Sequence, residues 1–470
     1  MANSLLKKTG IYFIGNVAAK VTAALIVPVY AFFVSSQNLG IYDYYITFAQ
    51  MLSPLCFLAI WESILRYIMR ESDSRKKEVL VSSVIAFCLL SLAAVTAAAV
   101  IAMLLLPSFE RDISGIAIMS ICVGIAQVWQ YFARSFGETR LYAASGVVSA
   151  LVSFGGILVF VCLLGHQLDG LVASYVLSQL TLIILIEIKL RLLSHFSLRH
   201  VSKRQIVQFV RFSSPLALNL LLLAFVTGFG RILITNVLGP ESNGMYTFAM
   251  KFGTILTSLG SIFAMAVVEE AILRIGKADA DRFFQSVSCC TLYILTGFGG
   301  MLLPIIQLFY YFISTTEYFE SYVLVPCFIS YGIATVLSTV AACVFQTAQK
   351  TNFIAITSFM GAVVTALGSY LGIRVLGCQG VAFGLFLGAF TMFLGRYFVG
   401  KKIIPYSLVS AKSVFILFCY FGSCFLMFSG VAANHLAVLG VWLCVNAIIF
   451  LMPTLRSIRT LRQIPDSKDV

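Results

Sequence analysis

Charge is scarce in this chain. Asp, Glu, Lys and Arg make up 11% of its 470 residues, against about 25% in an ordinary soluble domain. A water-facing surface of normal size cannot be built from so few. With 60% hydrophobic residues and a mean hydropathy of +0.98, most of the chain must face lipid or its own helices. Histidine is rarer still, with four residues and no Cys/His spacing of the kind a metal needs. No metal and no cofactor are expected. The twelve cysteines form no CxxC pair and lie mostly in apolar segments, among them Cys56, Cys88, Cys122, Cys289, Cys290 and Cys444. They read as small membrane hydrophobes and not as a disulfide framework. A cleavable signal peptide is not expected either, because the apolar stretch after Lys7 and Lys8 passes Val27 without a small-residue cleavage motif.

What is present is a series of apolar runs. About 20 residues of helix span the hydrocarbon core, and fourteen such segments can be placed, from roughly 10–34 to 434–454. Turn chemistry separates them, as at Ser35-Ser-Gln-Asn38, Pro107-Ser108, Gly239-Pro-Glu-Ser-Asn243 and Gly377-Cys-Gln-Gly380. The fold class is therefore all-α integral membrane protein. Of the 32 basic residues, 27 fall in the even-numbered loops and the two tails, while Arg111 and Arg374 are the two in odd-numbered loops. By the positive-inside rule both termini are cytoplasmic. The net charge of +13 is thus a topology signal. It is spread over many sites and not gathered on one face with aromatics between, so no nucleic-acid partner is expected, and membrane lipids are.

The chain repeats itself. Val34–Tyr42 is echoed at a spacing of 204 by Leu238–Tyr246, and Glu138–Ala143 at 212 by Lys350–Ala355, with Gly165 falling on Gly377. Duplicated membrane bundles carry substrate and ion sites at the repeat interface. The expected organisation is a six-helix bundle over 1–190, a cytoplasmic amphipathic linker over 191–208 in which leucines, Phe196 and Val201 alternate with basic residues, and a second six-helix bundle over 209–402. Two further spans over 403–455 and a cytoplasmic tail over 456–470 complete it.

Lys20, Arg231 and Lys251 are the basic residues left inside spans. A cation in hydrocarbon costs about 2.5–3.5 kcal/mol, so such groups face a cavity or a partner, or snorkel to the interface. Among the 19 acidic residues Glu62 is placed well inside a span, whereas Asp43, Glu187, Glu269 and Glu270 fall at helix ends. Glu62 and Arg66, spaced i,i+4, are expected to neutralise each other or to act as a cytoplasmic gate. Asn16 lies one turn before Lys20, and Asn219 sits at nearly the same place in the seventh span. Both are candidate donors to a ligand or to neighbouring helices. The expected substrate site is therefore Lys20, Asn16, Arg231, Lys251 and Asn219, a cationic cavity suited to an anion. Pro28, Pro54 and Pro215 are candidate kinks.

The opening Leu6-Lys-Lys-Thr-Gly-Ile-Tyr-Phe-Ile-Gly-Asn16, Gln37–Tyr42, Trp61-Glu-Ser-Ile-Leu-Arg66 and Gly137-Glu-Thr-Arg140 resemble the polysaccharide-transporter branch of the multidrug/oligosaccharidyl-lipid/polysaccharide exporter superfamily. That resemblance implies a MATE-like fold, with two six-helix bundles in a V around a central cavity. It implies translocation of undecaprenyl-pyrophosphate-linked oligosaccharide for O-antigen, capsule or exopolysaccharide assembly in a bacterial inner membrane. A polysaccharide polymerase and a chain-length regulator would be partners. A lipid II flippase and a cation-coupled multidrug antiporter of the same superfamily are the alternatives. A membrane enzyme is disfavoured because the outer loops are short and nearly uncharged, leaving no catalytic residues to assign. The charge pattern also yields a test. Cysteines introduced in 70–77 and 195–205 should be shielded from impermeant thiol reagents added outside intact cells, and labelling there would invert the topology.

Overall fold

The computed structural model describes residue 22 and residues 24–69, 71, 73–273, 280–348, 350, 352–408, 410–431 and 435–462. Among these it is all helix. The elements are α1 (Ala24–Phe33), α2 (Ser36–Cys56), α3 (Trp61–Tyr67), α4 (Ser74–Leu105), α5 (Glu110–Ser135), α6 (Thr139–Gly156, continued by a π-helical turn over Ile157–Leu163) and α7 (Gln167–Leu190). They continue with α8 (Lys203–Leu238), α9 (Pro240–Leu273), α10 (Ala280–Phe312), α11 (Val325–Thr347), α12 (Asn352–Leu376), α13 (Cys378–Gly400), α14 (Ala411–Phe428) and α15 (Leu436–Arg462). Eleven helices among the described residues are long and apolar enough to cross a membrane, and twelve with α2 and α3 counted as one bent span. The shorter α1 and the 34-residue α9 occupy the remaining two positions of the expected fourteen. Large apolar side chains such as Leu104, Phe418 and Ile448 are exposed along these helices, as lipid-facing residues must be when all backbone groups are satisfied within the helix.

The chain divides into two compact units between Thr235 and Asn236. The same helix pairs pack within each. In the first unit α2 packs on α5, α4 on α5, α5 on α7 and α6 on α7; in the second α9 packs on α11, α10 on α11, α11 on α13 and α12 on α13. The duplication is thus visible as repeated packing. Its glycines have a conformational reason: Gly165 and Gly377 both hold positive φ, +73° and +57°, at the turns entering α7 and α13, a region open to glycine at no steric cost. The α12–α13 contact adds small residues, with Gly361, Gly368 and Gly372 against Gly388, Gly384 and Gly380 so closely that no Cβ fits. Helices α14 and α15 both pack on α10. Asn446 Nδ2 donates to Gly300 O and Ser423 Oγ at 2.7 Å, and Trp442 Nε1 donates to the same Ser423 at 2.9 Å.

Two features differ from the expectation. Residues 191–208 do not form one surface helix. Arg191 takes a left-handed conformation (φ +50°) that ends α7, and short 3-10 turns follow over Leu192–His195 and Leu198–His200 before α8 begins at Lys203. Serines of α4 hold the segment: Ser82 Oγ donates to His195 O and accepts from Ser197 N, both at 3.3 Å, and Ser83 Oγ accepts from Ser202 N at 3.1 Å. Glu187 adds a bond from Leu193 N at 2.8 Å and one from Trp129 Nε1 at 3.0 Å. The linker is therefore docked on the first unit. Phe209 at the start of α8 is fully buried there, and its carbonyl accepts from Ser63 Oγ at 3.0 Å. The compact-unit boundary consequently falls in the last turn of α8 and not before that helix, where the repeat begins.

Arg396 is the second difference. The sequence pattern places it with the cations of the even-numbered loops, yet it is 5% exposed. Its guanidinium donates to Thr357 Oγ1 (3.2 Å), Ser338 O (3.1 Å), Ser338 Oγ (3.0 Å) and Ser358 Oγ (2.8 Å), tying α13 to α11 and α12. No carboxylate among the described residues bonds to it. The planar fork matters more here than the charge. Arg396→Lys should lower unfolding stability by about 2–3 kcal/mol, because it keeps a buried cation and strands its hydroxyl partners. Arg396→Met should cost less. Denaturant titration in detergent checks the order, and the reverse order would show that charge alone is what the site needs.

Candidate functional site

The first unit encloses a cavity of about 550 Å³. Its described walls come from α2 (Gln50, Ser53, Pro54), α3 (Trp61, Glu62), α5 (Val123, Ala126, Gln127, Gln130, Tyr131), α6 (Gly146, Ser149), α7 (Tyr175, Gln179, Leu182) and α8 (Leu220, Ala224). So many amides and hydroxyls inside an apolar bundle are costly unless used, which makes the cavity the functional candidate. Local backbone builds it. Helix α2 breaks after Pro54, and α3 departs at 49°. Leu58 and Ala59 hold positive φ, +46° and +45°, a conformation that costs non-glycine residues about 1–3 kcal/mol each and clusters at functional sites.

Glu62 stands on this wall. Its Oε1 accepts from Tyr131 Oη at 2.8 Å. The expected pairing with Arg66 does not occur among the described contacts, since no ion pair joins them. Arg66 instead lies with its guanidinium carbon 4.3 Å from the Phe212 ring centroid, over the face of α8. Both residues border a small recess with Leu65 and Met69. The aromatic face satisfies the arginine, which leaves the glutamate to the tyrosine.

The remaining expected site residues are not gathered here. Lys20 and Asn16 lie outside the described residues. Asn219 is exposed on α8 beside the cavity residue Leu220 but is not among the lining residues. Arg231, twelve residues on and roughly 18 Å along the helix axis, has an acidic partner: its Nη1 donates to Asp43 Oδ1 at 3.1 Å and to Thr47 Oγ1 at 3.4 Å, both on α2. Asp43, placed at a helix end by hydropathy, is buried. Lys251 is half-buried on α9 in the second unit. No Lys or Arg is among the described residues lining the first-unit cavity, so the cationic cavity is not found at this place. Charge and asparagine content do not point to the glutamines. A signal existed: Gln127, Gln130 and Tyr131 are spaced i, i+3, i+4 inside the fourth span, and so share one helix face.

A family profile described as polysaccharide biosynthesis protein matches residues 5–268, more than half of the chain. The chain belongs to that family. It is a member of the polysaccharide-transporter branch of the exporter superfamily named above. Among solved structures, a lipid II flippase in an inward closed conformation is similar with a TM-score of 0.68 at 14% identity, over 96% of this chain and 99% of that one. An inward-facing multidrug transporter of the MATE family gives 0.62 at 14% identity, over 84% and 94%. A MATE protein in complex with MaL6 gives 0.53 at 13% identity, over 84% and 95%. Comparison with curated proteins returned no match. Likeness at such identity establishes the fold, which is MATE-like, in a multi-pass membrane protein. The flippase match covers nearly the whole chain, so it takes in the C-terminal helices α14 and α15.

The Arg231–Asp43 pair gives a direct test of this member of the family. Asp43→Asn removes this partner from the half-buried Arg231, and Arg231→Gln removes it from the buried Asp43. Each should cost about 3 kcal/mol, the low end for breaking a buried pair because Arg231 keeps some exposure. The double variant should recover most of that loss in a thermal melt. Additive losses would mean that the two side chains are not coupled.

Proposed function

We propose that the protein is a flippase for undecaprenyl-pyrophosphate-linked oligosaccharide, working in a bacterial cytoplasmic membrane with both termini cytoplasmic and performing no chemistry on its cargo. The family match over residues 5–268 carries this reading. The MATE-like fold and the loop charge asymmetry support it. A diphosphate headgroup needs cationic donors. Lys20 with Asn16, Arg231, Lys251 and Asn219 are assigned to it, in two six-helix bundles that alternate access. At Arg231 binding is an exchange, in which a phosphate oxygen displaces the carboxylate of Asp43. Glu62 and Arg66 form the gate, with Arg66 released from Phe212 as α3 and α8 separate. A polymerase and a chain-length regulator receive the product. Outward passage of a dianion through an inside-negative potential is favoured by about 4.6 kcal/mol at 100 mV, twice the value for one charge.

One observation favours a cation-coupled variant of the same transporter: Glu62 lines the cavity with no basic lining residue among the described ones. Export driven by a sodium or proton gradient at zero potential, and lost in Glu62→Gln, would select that variant. Potential-driven export survives Glu62→Gln.

The headgroup assignment is checked in cells deleted for the gene. Lys20→Ala should abolish surface polysaccharide at unchanged protein abundance, and Lys20→Arg should restore more export than Lys20→Glu. Equal export from all three would remove Lys20 from the site.

A further inference from the structure

The described wall of the first-unit cavity suits something neutral better than a phosphate. Its one described charge is Glu62, and a carboxylate repels a dianionic headgroup. The rest of the wall is amide, hydroxyl and aromatic. Gln50 comes from α2, Gln127 and Gln130 from α5 and Gln179 from α7, joined by Ser53, Ser149, Tyr131 and the rings of Trp61 and Tyr175. Each amide offers an acceptor oxygen and two N–H donors, the mixed set that a ring of hydroxyl groups requires.

Ser53 shows that the set is incomplete. It is fully buried, its Oγ has no hydrogen-bond partner, and it lies on the cavity wall. Gln50, Gln127 and Gln130 likewise make no hydrogen bond to another described residue. Buried polar groups in folded proteins are paired, so Ser53 points to a polar occupant, which the half-buried Gln127 and Gln130 and the exposed Gln50 can also reach. The volume of about 550 Å³ lies within the range of small-molecule sites. The repeat sharpens the point. At spacings of 204 and 212 the positions of Gln50, Glu62, Gln127, Gln130, Tyr131 and Gln179 are taken by Thr254, Ala266, Thr339, Ala342, Cys343 and Thr391. Duplication alone did not produce the glutamines, and fold maintenance does not require them, since the second unit packs the same helix pairs without them.

We propose that this cavity binds a neutral sugar residue of the lipid-linked substrate, hydrogen-bonded by Gln127, Gln130, Gln50 and Ser53. The described polar wall of this cavity thereby reads carbohydrate, while the cations assigned above hold the pyrophosphate. The inference rests on the flippase reading and adds to it a site for sugar selection. Glu62 takes part as an acceptor, with Oε1 held by Tyr131 and Oε2 left for a sugar hydroxyl.

The experiment measures affinity of the full-length protein in lipid nanodiscs. The probes are undecaprenyl pyrophosphate and the same lipid carrying one N-acetylglucosamine, one glucose or one galactose. Wild type should bind at least one glycosylated probe about tenfold more tightly than the bare lipid, the worth of one or two net hydrogen bonds. Gln127→Leu/Gln130→Leu should abolish that preference while leaving the bare-lipid affinity unchanged. Gln130→Met, close to isosteric, keeps the test valid should the double variant misfold, and it should reduce the preference about threefold. No preference in wild type, or full preference in the variants, overturns the sugar site and leaves the flippase reading standing. Equal loss for bare and glycosylated lipid also overturns it, because the cavity would then hold the headgroup or the fold. Wild type that binds none of the probes overturns the flippase reading itself.

Discussion

Inside a bilayer there is no water to receive a stray proton donor, and the rest of this structure follows from that constraint. Arg231 and Arg396 meet it inside their helix bundles in different ways, and Arg66, exposed at a helix end, uses an aromatic face. Arg231 uses a carboxylate, Asp43, with Thr47 beside it. Arg396 uses none, and divides its donors among three hydroxyls and a carbonyl on two neighbouring helices. Arg66 lays its guanidinium over Phe212. The three differ in how easily they can be undone. A fork bonded to four groups on two helices is a structural tie, whereas an aromatic face beside an exposed arginine is readily given up during a conformational change. On that ground Arg66 suits a moving part, and Arg396 suits a rigid one.

The two repeats share packing and differ in polarity. Equivalent helix pairs contact each other in both units, and both carry a positive-φ glycine at the same turn. Yet the first holds a cavity with four glutamines on its wall, and the second closes its α12–α13 seam with glycines that admit no side chain. A duplicated scaffold frees one copy to specialise, because the fold is specified by apolar periodicity and turn residues that both copies keep. Selection of a ligand then falls to side chains that the packing does not need.

Hydropathy and loop charge were enough to read the helical class, the fourteen helix positions and the repeat, since long apolar runs and turn residues report directly on lipid contact. They misplaced what depends on side-chain partners. Residues 191–208 carry an amphipathic pattern, but two serines of α4 and Glu187 bond their backbone to the first unit, and that competition is invisible in a single segment. Arg396 looked like a loop cation because its hydroxyl partners lie 38 or more residues away. Asp43 looked like a helix-end residue because its partner is 188 residues distant. Glutamine is uncharged and scarcely lowers the apolar signal, so the cavity residues passed unremarked, although Gln127, Gln130 and Tyr131 share a helical face.

The break between α2 and α3 explains how one span can line a cavity at two levels. In an uninterrupted helix of about 3.6 residues per turn, Ser53 and Glu62 would point to nearly opposite sides, nine residues being two and a half turns. Here the chain departs from helical geometry at Leu58 and Ala59 and turns by 49°, and both residues stand on the same wall. Pro54 begins the departure by removing a backbone donor, and Ala59 N closes it with a bond to Pro54 O at 2.9 Å. Two left-handed non-glycine residues make this break costly, and Phe57, Ala59 and Ile60 hold it by complete burial. A rotation of α3 relative to α2 would relieve that backbone while turning Glu62 off the wall and drawing Arg66 from Phe212. The same strained joint therefore connects the cavity wall at Ser53 and Glu62 with Arg66 and its contact to Phe212 on α8.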